Sequence, residues 1–140
     1  MERDAAEKET AVEIEARSYE IDVYGHVNHG VYVWWMEHGR TAFLAERGMS
    51  WTSIPEEMGV HVVVVSQKID YRAQVRLGDR LVVTTRLARA GRTSFALSHR
   101  IAWPNGQAAA EGEVVLVAID AEGRPTPLPP DLRSRLMDDG

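Results

Sequence analysis

Residues 21–40 read IDVYGHVNHGVYVWWMEHGR. Residues 31–36 within this window are apolar without a break, and Val, Tyr and Trp favour strands. Length argues the other way. The segment continues through EHGRTAFLAER to a stop at Gly48 and opens on Asn28 and Gly30, so it predicts one long helix from Gly30 to about Arg47. A helix apolar around its whole first half must be enclosed by protein. Gly39, in the middle, costs roughly 1 kcal/mol relative to Ala, which points either to another backbone passing close by or to simple tolerance.

On both sides of the helix the pattern is that of strands. Upstream, AVEIEARSYE alternates Val12, Ile14 and Ala16 with Glu13, Glu15 and Arg17, the two-residue period of a half-buried strand over 11–20. Downstream, VHVVVVSQKIDYRAQV is β-branched and then alternating, and DRLVVTTRLARAGRTSFALSHRIAW reads as two strands about a turn at Ala90, Gly91 and Arg92. PNGQ then turns the chain into AAAEGEVVLVAID. These four strands predict an antiparallel meander. The Pro-rich tail ends in a short helix with Asp131 as its candidate cap. Strand, helix and four strands make an α+β domain in which a curved five-stranded antiparallel sheet wraps one long central helix. Its two open edges need a cover, and a second copy is the simplest one.

With 140 residues and 44% hydrophobic content, the chain suits a single domain over 11–140 behind a flexible, polar segment at 1–10. The net charge of −5 disfavours nucleic acid and anionic membrane surfaces, while leaving room for a phosphate-bearing small molecule on a local Arg cluster. The absence of cysteine removes disulfides, thiolate metal sites and a Cys nucleophile. With no apolar leader and no run long enough to span a bilayer, the expected compartment is the cytoplasm.

The same window concentrates polar groups that packing alone does not require, since each one buried without a partner costs free energy. Asp22 falls in the loop between the first strand and the helix. Capping a turn is the ordinary role of such a residue, but its neighbours offer another. The backbone N–H groups of His29, Gly30 and Val31 point from the helix start, where the dipole favours an oxygen gaining negative charge. A carboxylate beside such donors suits acyl transfer. His26 and His29 are three apart, which is not the helical zinc spacing of two His four apart with a Glu between, so no metal or other cofactor is expected. Each His also has a purely structural reading, and Asn28 one as helix N-cap. Trp34, Trp35 and Met36 belong to the core or line an acyl pocket. Glu37 and Arg40 are spaced to pair on the helix. Arg72, Arg76 and Arg80 follow one strand, and Arg86, Arg89 and Arg92 surround the next turn. They are solvated strand ends or, for Arg72, Arg76, Arg89 and Arg92 in particular, candidates to hold phosphates.

DVYGHVNHGVYVWWMEHGR resembles the motif of hotdog-fold acyl-CoA thioesterases of the 4-hydroxybenzoyl-CoA thioesterase-like class. That motif runs Asp, Gly-x-Val, an Asn or His pair, Tyr and Glu-x-x-Arg. Asp22, Gly25, Val27, Asn28, His29, Tyr32, Glu37 and Arg40 match it in order and spacing, and the element order agrees over roughly residues 11–121. The resemblance implies a dimer or tetramer with its active site between subunits. It makes Asp22 the catalytic carboxylate, as general base or as nucleophile through a mixed anhydride, and His29 an assisting residue. It also implies that amides at the helix start, with Asn28, Gly30, Val31 and Tyr32 around them, polarise the thioester carbonyl. Many relatives carry a second Asn where this chain has His29. The expected activity is hydrolysis of an acyl or aroyl-CoA to acid and CoA. The alternatives are release of acyl or polyketide chains from a carrier protein, a noncatalytic acyl-CoA-binding module, and a metal-dependent hydrolase using His26 and His29.

Overall fold

The computed structural model describes residues 8–137, so most of the expected flexible segment at 1–10 lies outside the described residues. Strand β1 is Thr10–Glu15, shorter than the expected 11–20 because Ser18–Glu20 turns into a single 3₁₀ turn. Helix α1, Val31–Glu46, falls where the apolar run and the Gly48 stop place it. A short helix without a sequence counterpart above, α2 (Ser53–Met58), leads to β2 (His61–Tyr71), β3 (Arg80–Ala90), β4 (Ser94–Ala102), β5 (Ala108–Ile119) and α3 (Pro130–Met137). Asp131 does not cap α3. It lies in the first turn, behind Pro130, and its carboxylate accepts from Arg135 Nε one turn on, at 3.2 Å. Among the described residues no helix is long and apolar enough to cross a membrane.

The five strands form one antiparallel sheet in the order β1-β3-β4-β5-β2. The expected meander therefore holds for β3, β4 and β5 but not for β2, which pairs with β5 at the far edge. The reason lies in residues 72–79. A tight β2–β3 hairpin would leave Val75 in solvent, whereas here Val75 is fully buried and its carbonyl accepts the Val27 N–H at 2.8 Å. Drawn inward, this connection crosses the end of the sheet and runs beside the loop that precedes α1. Periodicity identifies strands; what the connections bury decides which of them pair.

Helix α1 lies across β1, β3 and β4 and divides the core in two. Its first half packs Val31, Tyr32, Trp35 and Met36 against Leu81, Val83, Ile101 and Ala110. Its second half packs Phe43 and Leu44 against Leu97, Val114 and Leu116, with Ile54 of α2 and Leu132 and Leu136 of α3 closing that end. Between the halves sits a polar layer. Arg40 Nη1 donates to His99 Nε2 at 3.3 Å, and since guanidinium can only donate, the proton of this histidine sits on Nδ1, facing Thr85 Oγ1 at 2.9 Å. Arg40 Nε is buried with no partner among the described residues. The Glu37–Arg40 ion pair expected from spacing does not close, because Arg40 turns into the core while Glu37 remains exposed. Burial lowers the pKa of Arg40, and the Glu37 charge opposes this from a distance.

Gly39 explains how α1 comes so near the sheet. A Cβ there would stand 2.6 Å from Thr85 Oγ1 and 2.8 Å from Val83 Cγ1. Ala is the better helix former by about 1 kcal/mol, but forcing a methyl into a packed interface costs about 1–3 kcal/mol. Gly39→Ala should therefore lower the urea midpoint; a raised midpoint would show that the contact yields.

Burial, with the Arg40 charge second, pushes the pKa of His99 down to about 3 from 6.5. Between those values the unfolded chain binds a proton that the folded one refuses. The stability contributed by neutral His99 is therefore whole above pH ~6.5 and is lost as pH falls toward 3, at about 1.4 kcal/mol per unit. His99→Gln keeps an acceptor for Arg40 and a donor for Thr85 without titrating, so its stability should fall less steeply between pH 6.5 and 4 than that of the native protein. Equal slopes in pH-dependent urea unfolding would contradict this account.

Candidate active site

The loop before α1 is a small hairpin. Asp22, Val23, Tyr24 and Gly25 form its turn, closed by Gly25 N–H donating to Asp22 C=O at 3.1 Å. Gly25 has φ +82°, a left-handed conformation that a residue with a Cβ adopts only with strain. Asp22 N–H donates to His26 C=O at 2.8 Å, Ile21 bridges Val27, and Asn28 N–H donates to Glu20 C=O at 2.8 Å. These rungs hold Asp22 on one limb and His29 just past the end of the other.

Within this frame the Asp22 carboxylate has two roles to share between two oxygens. Oδ1 accepts from Tyr24 N–H at 2.9 Å and, more weakly, from His26 N–H at 3.4 Å, which is the turn-capping role. Oδ2 has no hydrogen-bond partner among the described residues, and the side chain is only half-buried. The turn thus orients the carboxylate and leaves one oxygen for other chemistry.

The expected trio of donors at the helix start is reduced to one. Gly30 N–H donates to the Asn28 side-chain Oδ1 at 2.8 Å, and Val31 N–H to the Asn28 carbonyl at 2.9 Å. Both amides are occupied by the turn that starts the helix. Asn28 makes that turn without capping the helix from the N-cap position, which Gly30 occupies. His29 N–H donates to nothing among the described residues, and it belongs to the peptide whose carbonyl points into the helix, so it points outward along the favourable end of the dipole. The His29 ring is exposed.

Other residues singled out in the sequence fall elsewhere. Tyr32 is buried, with its ring 5.3 Å from Trp35 and 5.1 Å from Tyr71, both edge-on. Burial raises the pKa of its hydroxyl, and a backbone hydrogen bond from Val75 opposes that shift. Trp35 and Met36 are core, and Trp34 alone of the three faces outward, 68% exposed. Of the phosphate candidates, Arg72 and Arg76 lie near this end of the sheet, whereas Arg89 and Arg92 lie toward the other end of β3, whose eleven residues extend roughly 35 Å. A single chain therefore does not gather all four. Arg72 and Arg89 are also engaged by Glu111 at 3.2 Å and Glu113 at 2.9 Å. Among the described residues no three His, Asp or Glu side chains stand where they could hold a metal ion.

Two contacts have no local signal in the sequence. Tyr71 Oη donates to the His29 carbonyl at 2.9 Å across 42 positions of chain, and Trp35 Nε1 donates to Glu20 Oε2 at 3.2 Å. Only the fold brings these partners together.

Comparison with known proteins identifies the family. Residues 16–136 match the thioesterase-like superfamily. The chain is 28% identical over 127 residues to the chloroplastic acyl-acyl carrier protein thioesterase ATL3 of Arabidopsis thaliana, covering 90% of this chain and 66% of that protein's length. It is 33% identical over 110 residues to the long-chain acyl-CoA thioesterase FadM of Escherichia coli, covering 77% of this chain and 81% of FadM. A solved thioesterase from Thermus thermophilus, complexed with coenzyme A and Zn, superposes with a TM-score of 0.78 at 35% identity over 90% of each chain. With the match spanning 16–136 and the strand order of the sheet around α1, the chain belongs to the thioesterase-like superfamily and has its hotdog fold.

Proposed function

We propose that the protein hydrolyses an acyl or aroyl thioester, with coenzyme A as the thiol carrier. The observation that carries this reading is a carboxylate with one unused oxygen, Asp22, on the same small hairpin as the unused His29 N–H at the start of α1, in a chain of this family. Asp22 takes a proton from water as the water oxygen bonds to the thioester carbon. The carbonyl oxygen becomes an oxyanion held by His29 N–H. The carbon–sulfur bond then breaks, the proton passes from Asp22 to the departing thiolate, and acid and free thiol leave. In the variant route the Asp22 oxygen bonds to the carbonyl carbon and the carbon–sulfur bond breaks, giving a mixed anhydride and the thiolate; water then opens the anhydride, Asp22 returns as carboxylate, and the proton released from the water goes to the thiolate. Incorporation of ¹⁸O from solvent into Asp22 during a single turnover would mark that second route.

The names of the relatives divide between acyl carrier protein and coenzyme A thioesters, so the carrier is tested directly. Thiol release from matched acyl-CoA and acyl-carrier-protein substrates should favour CoA. Asp22→Asn should lower kcat by roughly 10²–10⁴ with folding and assembly unchanged. Turnover that survives the substitution would place the chemistry on another group.

The protein assembles through β2. This strand is open along its outer edge and carries Val64 and Val65 at 48% and 57% exposure. A strand with unpaired backbone groups and exposed valines is a template for a second strand, and a second copy of the same edge pairs with it by two-fold symmetry. Sedimentation velocity at micromolar concentration should find at least a dimer, and Val64→Lys should shift it toward monomer. A monomeric native protein would refute assembly through this edge.

A further inference from the structure

An amide that holds an oxyanion must be aimed before the reaction, since rotating it during the reaction would use up the advantage of a preorganised donor. The orientation of His29 N–H depends on the two peptide planes that meet at His29. The plane carrying this N–H is held at its other end, where the Asn28 carbonyl accepts from Val31 N–H at 2.9 Å. The following plane is held at its N–H, which donates to Asn28 Oδ1 at 2.8 Å, and at its carbonyl, which accepts from Tyr71 Oη at 2.9 Å.

These three restraints differ in kind. The two that involve Asn28 are local and would travel with the loop if it rocked as a unit. Tyr71 belongs to the sheet. Its backbone is in register with Ala110 of β5, and its ring meets buried Tyr32 edge-on at 5.1 Å. Tyr32 meets Trp35, Trp35 Nε1 donates to Glu20 Oε2, and the Glu20 carbonyl accepts the Asn28 N–H. The contacts therefore run in a closed circuit from Tyr71 through Tyr32, Trp35, Glu20 and Asn28 to His29 and back to the Tyr71 hydroxyl. Removing that hydroxyl opens the circuit at its contact with His29.

We infer that Tyr71 is a positioning residue for hydrolysis: its hydroxyl, 2.9 Å from the His29 carbonyl, fixes the direction of the His29 N–H relative to the sheet without touching the substrate. This rests on the thioesterase reading above. Tyr71 is 49% exposed, and Phe retains the ring that meets Tyr32 while lacking the hydroxyl.

The test compares the native protein, Tyr71→Phe and Asp22→Asn on the same acyl-CoA panel, with urea midpoints and ¹⁵N–¹H spectra of protein labelled at His and Gly. For Tyr71→Phe the expected result is a kcat roughly tenfold lower, the order of one lost hydrogen bond, with KM within about twofold of native. The His29 and Gly30 amide resonances should move while the other labelled amides stay in place. Native kcat in Tyr71→Phe, alongside collapse in Asp22→Asn, would overturn the positioning role and leave the hydrolytic reading standing. A change confined to KM would also overturn it, since that marks direct substrate contact, and so would unmoved His29 and Gly30 resonances. Absence of turnover by the native protein on every acyl-CoA of the panel would overturn both readings together.

Discussion

The seating of α1 on β3 at Gly39 is the contact on which the rest of the fold depends. A side chain any larger there would run into Thr85 and Val83, so the absence of a Cβ sets the height of the helix above the sheet. At that height Met36 reaches down to Gly112, where an added Cβ would lie 2.9 Å from the methionine methyl. Phe43 and Leu44 are brought fully under cover at the other end. The start of the helix, and with it His29, is thereby placed where the connection between β2 and β3 crosses the end of the sheet. Local backbone geometry at the site is thus inherited from a packing contact more than two helical turns away.

The same closeness explains the polar layer in the middle of the core. Burying a guanidinium against a neutral imidazole is unfavourable unless its hydrogen bonds are met, and Arg40 leaves Nε unmet among the described residues. Such a layer adds little to stability, but it fits only one register of helix on sheet: shifting α1 by one turn would set a cation against Leu97 or Ile101 instead of His99. Apolar layers on either side accept many arrangements of similar volume. A charged residue with one acceptor in reach accepts few.

Local chemistry was readable from the sequence, and long-range pairing was not. The apolar run and the Gly48 stop gave α1 within a residue at each end, and Asp22 followed three residues later by Gly25 is a turn by composition alone. The strands followed from alternation, but the place of β2 beside β5 depended on Val75 being drawn inward, which no pattern within 61–79 specifies. Helical spacing put Glu37 beside Arg40; the inward turn of Arg40 was decided by His99, 59 residues away. At the site, Asn28 reads from the sequence as the helix N-cap, a place that Gly30 takes instead. The occupation of both the Gly30 and Val31 amides by Asn28 follows from hydrogen-bond geometry that residue identity alone leaves open. The four arginines looked alike in sequence because nothing there records which end of a strand each occupies or which carboxylate lies across from it.

The pairing of β2 with β5 also sets an order in time. A ribosome delivers Tyr71 some 48 residues before Ile119, the last residue of the strand that completes its partner. At about 5–20 residues per second, the valine-rich segment 62–65 waits roughly 2 to 10 seconds with neither edge satisfied. Ser66, Gln67 and Lys68 directly follow those valines, and a polar, charged run in that place discourages the waiting strand from joining its counterpart on a neighbouring nascent chain. Both halves of β2 pair with β5 in the folded protein, but before β5 exists the polar half restrains what the valine-rich half invites.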